Sequence, residues 1–181
     1  RTYEGLPLGI FWGWKTDGLY QTAEDINKDP NIANDSRRTD GLISPGDVKF
    51  LDANGDGKID DKDRVNLGSP HPKIVYGFNA DFGYKGFDLS LFFLGNSGLK
   101  IYNADRMQGL DPTYSFNMYA EAANRWTGPG TSNSIPRMTT RRDNRNYRTS
   151  DMFIENGSFL RLKNLSVGYT LHENITNKIG I

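Results

Sequence analysis

The stretch KIVYGFNADFGYKGFDLSLFFLG, residues 73–95, constrains the fold more than any other part of the chain. Tyr76, Phe78, Ala80, Phe82 and Tyr84 share one parity, and Gly77, Asn79, Asp81 and Gly83 share the other. A period of two held over about ten residues marks a strand with one apolar and one polar face. Lys85-Gly86 supplies a tight turn. The return run puts Phe87, Leu89, Leu91 and Phe93 on one face and Asp88 and Ser90 on the other, while Phe92 and Leu94 blur its far end. The pattern predicts a hairpin of two strands, near 74–84 and 87–94.

Two further strands are expected. GIFWGW, near 9–14, is short, aromatic and β-prone. GSFLRLKNLSVGYTLHE alternates again, with Leu165, Val167, Tyr169 and Leu171 on one face of a strand near 158–171. Between the strands lie two long polar regions, 15–72 and 96–156. The first has room for a short helical turn before Pro30, and the second for one helix over roughly 116–126. HENITNK, at 172–178, is expected to be a short connection.

Such strands suit either the core of a soluble sandwich or the wall of a transmembrane β-barrel. Three features favour the barrel. The strand length matches a tilted membrane span of about 9–11 residues. The second face carries Asn79, Asp81, Asp88 and Ser90, as a polar lumen requires. The connections are asymmetric, with a tight turn at one end and long loops at the other. Four strands cannot close, since the smallest such barrels have about eight. The chain starts at Arg1 without a signal peptide and stops at Gly180-Ile181, so a piece of a longer protein is expected.

Composition excludes several classes. The chain of 181 residues has a formal net charge of zero, which gives no long-range attraction for nucleic acid or anionic lipid. It has no cysteine, which removes disulfides and thiolate metal sites. No run approaches the roughly 18 apolar residues of a membrane helix. Hydrophobic residues are 36% and aromatics 12%, a balance that favours β-structure with polar loops over a helical bundle.

DANGDGKIDDKD, residues 52–63, has the spacing of an EF-hand calcium loop. Asp52, Asn54, Asp56, the backbone carbonyl of Lys58, Asp60 and Asp63 occupy places one, three, five, seven, nine and twelve. Gly57 stands at the sharp turn, and Ile59 can point inward as an anchor. Place twelve is Asp instead of the usual Glu, and flanking helices are not evident. The loop is either a structural Ca²⁺ site or an Asx-rich turn satisfied by its own side chains. Crowded carboxylates repel, and a divalent cation would relieve that.

Little else carries chemistry. His71 and His172 have no partner at ligand or triad spacing and read as surface residues. No nucleophile elbow, phosphate loop or paired catalytic carboxylates emerge, so an enzyme is not expected. Tyr102, Tyr114, Phe116, Tyr119, Trp126 and Tyr147 either hold the loops together or stack on sugars or a partner. RRDNRNYR, residues 141–148, reads as a solvated loop face, with an acidic-substrate path or a partner contact as the other readings.

Four blocks then stand in a telling order: GLPLGIFWGWKTDGLYQ, SPGDVKFLDANGDGKIDDKDRVNLGSPHPKIVYGFNADFGYKGFDLSLFFLGNSGLKIYN, NRWTGPGT and SDMFIENGSFLRLKNLSVGYTL. Together they resemble the C-terminal part of the barrel of SusC/RagA-type TonB-linked outer-membrane transporters of Bacteroidota, over nearly the whole chain. The resemblance implies an all-β fold: part of a transmembrane antiparallel barrel of about 22 strands with an N-terminal plug, long extracellular loops, one short helix and an EF-hand-like loop. Residues 1–181 would then be one piece of that barrel, with 15–72 and 96–156 as extracellular loops. It implies TonB-driven uptake of glycans or peptides in the outer membrane and a SusD-like surface lipoprotein as partner. TonB itself would act on regions outside this chain. Phe78, Phe82, Tyr84, Phe87 and Phe93 would face outer-membrane lipid. The alternative is a soluble extracellular calcium-binding interaction module of the dockerin kind, although a dockerin carries two such loops and this chain has one.

Overall fold

The computed structural model describes residues 4–5, 7–115, 117–172 and 176–177. The strands are β1 (Phe11–Gly13), β2 (Thr16–Leu19), β3 (Val48–Phe50), β4 (Val65–Gly68), β5 (Ile74–Tyr84), β6 (Phe87–Ser97), β7 (Lys100–Tyr102), β8 (Ile154–Asn156) and β9 (Phe159–Tyr169). The helices are short: α1 (Ala23–Lys28), α2 (Ser36–Thr39) and α3 (Ala104–Leu110). Among the described residues no helix is long and apolar enough to cross a membrane. The chain divides into two compact units, Arg1–Pro70 with Ile101–Glu155, and His71–Lys100 with Asn156–Ile181.

The second unit is built on one antiparallel sheet in the order β5-β6-β9, each strand 11 residues long. Lys85 and Gly86 have φ of 48° and 86°, the pair of positive values a type I′ hairpin turn requires. Gly86 also leaves room for the chain, since a Cβ there would lie 2.9 Å from the Thr170 carbonyl. Pairing runs Tyr84↔Phe87↔Tyr169, Phe82↔Leu89↔Val167 and Ala80↔Leu91↔Leu165, so three apolar runs share one face.

Beyond Leu165 the sequence of β9 loses the required parity. Simple alternation would bring Lys163, Arg161 and Phe159 onto the apolar face. A bulge corrects this. Phe92 pairs with Asn164, but the next residue, Phe93, pairs with Leu162, leaving Lys163 as the extra residue. Leu162 and Leu160 then join the apolar face beside Phe93 and Gly95. The other face carries the rows Asp81↔Ser90↔Ser166 and Asn79↔Phe92↔Asn164. The apolar face is bare in this chain: Phe82 is 61% exposed, Tyr84 71% and Val167 70%.

The first unit holds the polar regions, and it has a buried core. Its ribbons are β1 with β4 and β2 with β3. Trp14, Leu19, Tyr20, Ile26, Ile32, Val48, Phe50 and Ile59 form one cluster, and Leu110, Ala122, Ile135 and Phe153 a second. Thr22 and Asp25 make a reciprocal capping box at the start of α1, the helical turn expected before Pro30.

Three expectations need correction. The strand near 9–14 shortens to β1 and pairs with β4 inside the loop-rich unit, so it is no member of the long sheet. The helix over 116–126 does not form as expected. Phe116 lies outside the described residues, and only a 3-10 turn over Ala120–Asn124 is present. Tertiary bonds hold its flanks extended: the Tyr119 N–H donates to the Gly109 carbonyl at 2.9 Å, and the Trp126 N–H to Ile135 at 2.9 Å. A segment this short cannot hold a helix against such bonds. The second region instead places a helix at α3, capped by the Asn103 side chain, which accepts from the Arg106 N–H at 2.8 Å. Among the described residues three short α-helices are present, of which α1 is the turn expected before Pro30 and α2 and α3 were not expected. Of the connection at 172–178, residues 173–175 and 178 lie outside the described residues.

Candidate functional site

Residues 52–63 close on themselves through short side-chain-to-backbone bonds. Asp52 accepts from the N–H of Gly55 at 2.6 Å and of Gly57 at 2.5 Å. Asn54 accepts from Asp56 N–H at 2.9 Å, and Asp56 from Lys58 N–H at 3.0 Å. Asp60 accepts from Lys62 N–H and Asp63 from Asp60 N–H, both at 2.7 Å, which caps the 3-10 turn Asp61–Asp63. Gly57 has φ of 76°, and a Cβ there would lie 2.8 Å from the Asn34 amide nitrogen. Glycine at place six is thus required twice over.

The loop is pinned by Ile59, the expected inward anchor, and from outside by Asp35, Trp14 and Asn34, which the motif did not flag. Ile59 is 3% exposed and joins the first core cluster, worth roughly 1.5–3 kcal/mol of burial. Its N–H donates to buried Asp35 at 3.3 Å, and Asp35 also holds Arg37 in a short ion pair. The Trp14 indole donates to the Asp60 carbonyl at 2.7 Å. Asn34 donates to the Asp56 carbonyl at 2.8 Å.

Asp52 and Asp63, the first and last places, meet at the Asn54 N–H, which donates to both, at 3.2 and 3.4 Å. Burial pushes the Asp63 carboxyl above its usual range. Burial also acts upward on Asp52, but the N–H groups of Gly57 and Gly55 outweigh it and hold that carboxyl low. Among the described residues no three acidic or histidine side chains converge as a ready metal cluster. Asp56 and Asp60 each give an oxygen to backbone caps instead. The donor set is oxygen-rich, which suits a hard cation, but the acids meet only as the Asp52–Asp63 pair.

A second constellation involves the basic loop at 141–148. Its anchor is Asp47, 1% exposed, a residue the sequence did not single out. Asp47 accepts from Arg137 at 2.8 Å, from the Asn144 amide at 3.1 Å, from the Asn146 amide at 2.9 Å and from Ser44 N–H at 2.8 Å. Asn146 in turn accepts from Val48 N–H at 3.0 Å. Asn144 and Asn146 are buried, while Arg141, Arg142 and Arg145 between and before them stay exposed. Arg148 turns inward. Its guanidinium carbon lies 3.7 Å from the Phe50 ring centre and 4.2 Å from that of Trp14. Its nitrogens find no hydrogen-bond partner among the described residues, and burial pushes its pKa down to about 9. Arg64 covers Trp14 as well, at 4.3 Å.

No family model matches the chain. Individual relatives do. The "TonB-dependent receptor P3" of Formosa agariphila is 33% identical over 178 residues, covering 98% of this chain and 16% of its own length. The "TonB-dependent receptor P26" of the same organism is 31% identical over 94% of this chain and 16% of its length. "TonB-dependent receptor SusC" of Bacteroides thetaiotaomicron is 27% identical over 70% of this chain and 12% of its length. The chain is homologous to the TonB-dependent receptors, SusC among them. It spans about one sixth of the length of the first two of these receptors, 16% in each case. The fold agrees. The structure of the RagAB peptide importer in its closed-closed state matches with a TM-score of 0.63 and 21% identity, over 92% of this chain and 17% of that one. The open-open state gives the same TM-score, 0.63, over 97% of this chain. These relatives are named as receptors, and the solved structures that share the fold as a peptide importer; none of these names is that of an enzyme.

Proposed function

We propose that the chain forms barrel wall and extracellular loops of an outer-membrane transporter that takes up glycans or peptides with energy delivered through TonB. The observation that carries this reading is the sheet β5-β6-β9. Its strands have 11 residues each, close to the roughly 9–11 of a tilted span. One face is apolar across all three strands and uncovered, more surface than a soluble monomer ordinarily leaves bare. The other face carries Asp81, Ser90 and Ser166, as a polar lumen requires. In this reading Phe78, Phe82, Tyr84, Phe87 and Phe93 touch lipid, and the regions 15–72 and 96–156 form extracellular loops. A SusD-like lipoprotein meets those loops from outside. The soluble calcium module has no comparable support, since matches to TonB-dependent receptors extend over 98% of the chain.

Calcium keeps a structural role here. Asp52 and Asp63 would take the ion together with Asn54, Asp56, the Lys58 carbonyl and Asp60, and the ion would neutralise the facing carboxylates. The support is the paired, partly buried acids on a loop already held by Ile59 and Gly57.

The chain has no cysteine, so single cysteines report cleanly in a full-length protein freed of any others. In outer membranes, a water-soluble maleimide should label a cysteine at position 166 and leave one at 167 unlabelled. Equal labelling of the two would sink the lipid-facing assignment. Uptake that persists after TonB is deleted would sink the transport mechanism.

A further inference from the structure

We infer that the basic loop at 141–148 forms a subsite for an oxyanion, a carboxylate or sulfate, carried by an anionic oligosaccharide. This rests on the uptake reading above and names the chemistry of what is taken up. The observation is a cavity of about 210 Å³ lined by Arg141, Arg142, Arg145 and Arg148, with Asp111 the one acid in its wall. A chain of zero net charge thus gathers four arginines round one small space. Such a concentration acts locally, because charges more than about 10 Å apart are screened at ordinary salt.

The arginines are not equally occupied. Arg141 pairs with Asp143 at 2.8 Å. Arg142 donates to the Thr113 hydroxyl at 2.8 Å and lies 6.0 Å from the Tyr114 ring centre. The Arg145 side chain makes no hydrogen bond or ion pair among the described residues. Its backbone has φ of 60°, a left-handed conformation that non-glycine residues rarely adopt and that persists only where the surroundings impose it. Those surroundings are Asn144 and Asn146, both clamped to buried Asp47. The clamp fixes the loop on either side of Arg145, which stays exposed in the cavity wall. A planar fork held in this way, with no partner, is suited to bidentate capture of an oxyanion.

The size and the wall indicate the rest of the ligand. About 210 Å³ is below the roughly 300–1,000 Å³ that enclose a drug-sized molecule, so the cavity takes one charged unit of a longer chain. An extended peptide is commonly held by pairing with a strand edge. None of the cavity's lining residues lies in a strand, so no ladder is offered there. Thr113 and Tyr147 stand in the wall instead, a hydroxyl and an aromatic ring of the kind that match a sugar.

The test uses the purified full-length receptor in detergent and isothermal titration at low salt. The probes are an oligouronate, a sulfated oligosaccharide, its unsulfated parent and an oligoglutamate. The variants are the double change Arg142→Gln with Arg145→Asn, which tolerates the positive φ, and Arg145→Lys, which keeps the charge. The expected result is tighter binding of the uronate or the sulfated chain than of the neutral one. That affinity should fall at least tenfold in the double variant, fall with added salt, and be largely kept by the lysine. Whichever oxyanion binds more tightly identifies its source. Equal affinity for charged and neutral sugars, or no loss in a double variant that melts like the parent, overturns the inference. So does tighter binding of oligoglutamate. TonB-dependent uptake of a neutral substrate with no oxyanion binding leaves the transport reading standing and this one fallen. Oxyanion binding in a protein whose uptake ignores TonB does the reverse.

Discussion

At the residue scale, two aspartates separate what a motif shows from what it conceals. Asp63 was legible because calcium-loop spacing names it. Its raised pKa was not, because that comes from burial among residues distant in sequence. The sign follows from the direction. The folded state holds this proton more tightly than the unfolded chain does, so the group's contribution is complete at low pH and fades as pH rises through the raised folded value. A cation that takes the proton's place stabilises above that range and not below it. Melting of the full-length protein with calcium against chelator should show a calcium shift at pH 8 that vanishes in acid and is abolished by Asp63→Ala. No shift at any pH would leave the loop as a set of Asx turns. Asp47 was illegible, lying outside every motif although four groups converge on it. Asp47→Ala strands the buried Asn144 and Asn146 donors and the half-buried Arg137, for an expected loss on the order of 3–5 kcal/mol. Unfolding melts would measure it, and rapid proteolysis within 137–148 should accompany it.

At the element scale, the hairpin was legible because a period of two and a two-residue turn are local properties. The turn chemistry can be improved. Lys85 has φ of 48°, which asparagine tolerates better, so Lys85→Asn should stabilise by about 0.5 kcal/mol, read from the full-length protein's melting temperature. The bulge in β9 was not legible, since it exists only relative to β6. It predicts an unusual tolerance. Deleting Lys163 leaves Leu160, Leu162, Leu165 and Val167 in simple alternation, so both faces survive without the bulge. Inserting an alanine between Val167 and Gly168 instead throws residues onto the wrong face. The deletion should keep the protein in the outer-membrane fraction at near-normal amount, and the insertion should not. The missed helix at 116–126 has the opposite cause. Its composition permitted a helix, but Gly109 and Ile135 supplied backbone partners that a helical pattern cannot foresee.

At the scale of the whole molecule, the long sheet and the loop-rich unit bury their side chains differently. The loop-rich unit hides Trp14, Tyr20, Ile32 and Phe153 in its own interior. The sheet leaves Phe82, Leu165 and Val167 bare. If lipid covers that face, Leu165→Arg, near the middle of the strands, should cost about 2–4 kcal/mol and reduce outer-membrane insertion, whereas Ser166→Arg on the opposite face should not. Fractionation of cells carrying each variant decides between them. The sequence by itself determined the three long strands, the apolar and polar faces of the hairpin, the tight turn and the acidic spacing of residues 52–63, because each depends on neighbours a few residues apart. Only the tertiary structure decided that β1 joins the loop unit, that Lys163 bulges out, that Asp47 clamps residues some 97–99 positions away, and that four arginines share one cavity. These are long-range pairings, set by which backbone and buried polar groups found partners when the chain packed, and no local pattern encodes them.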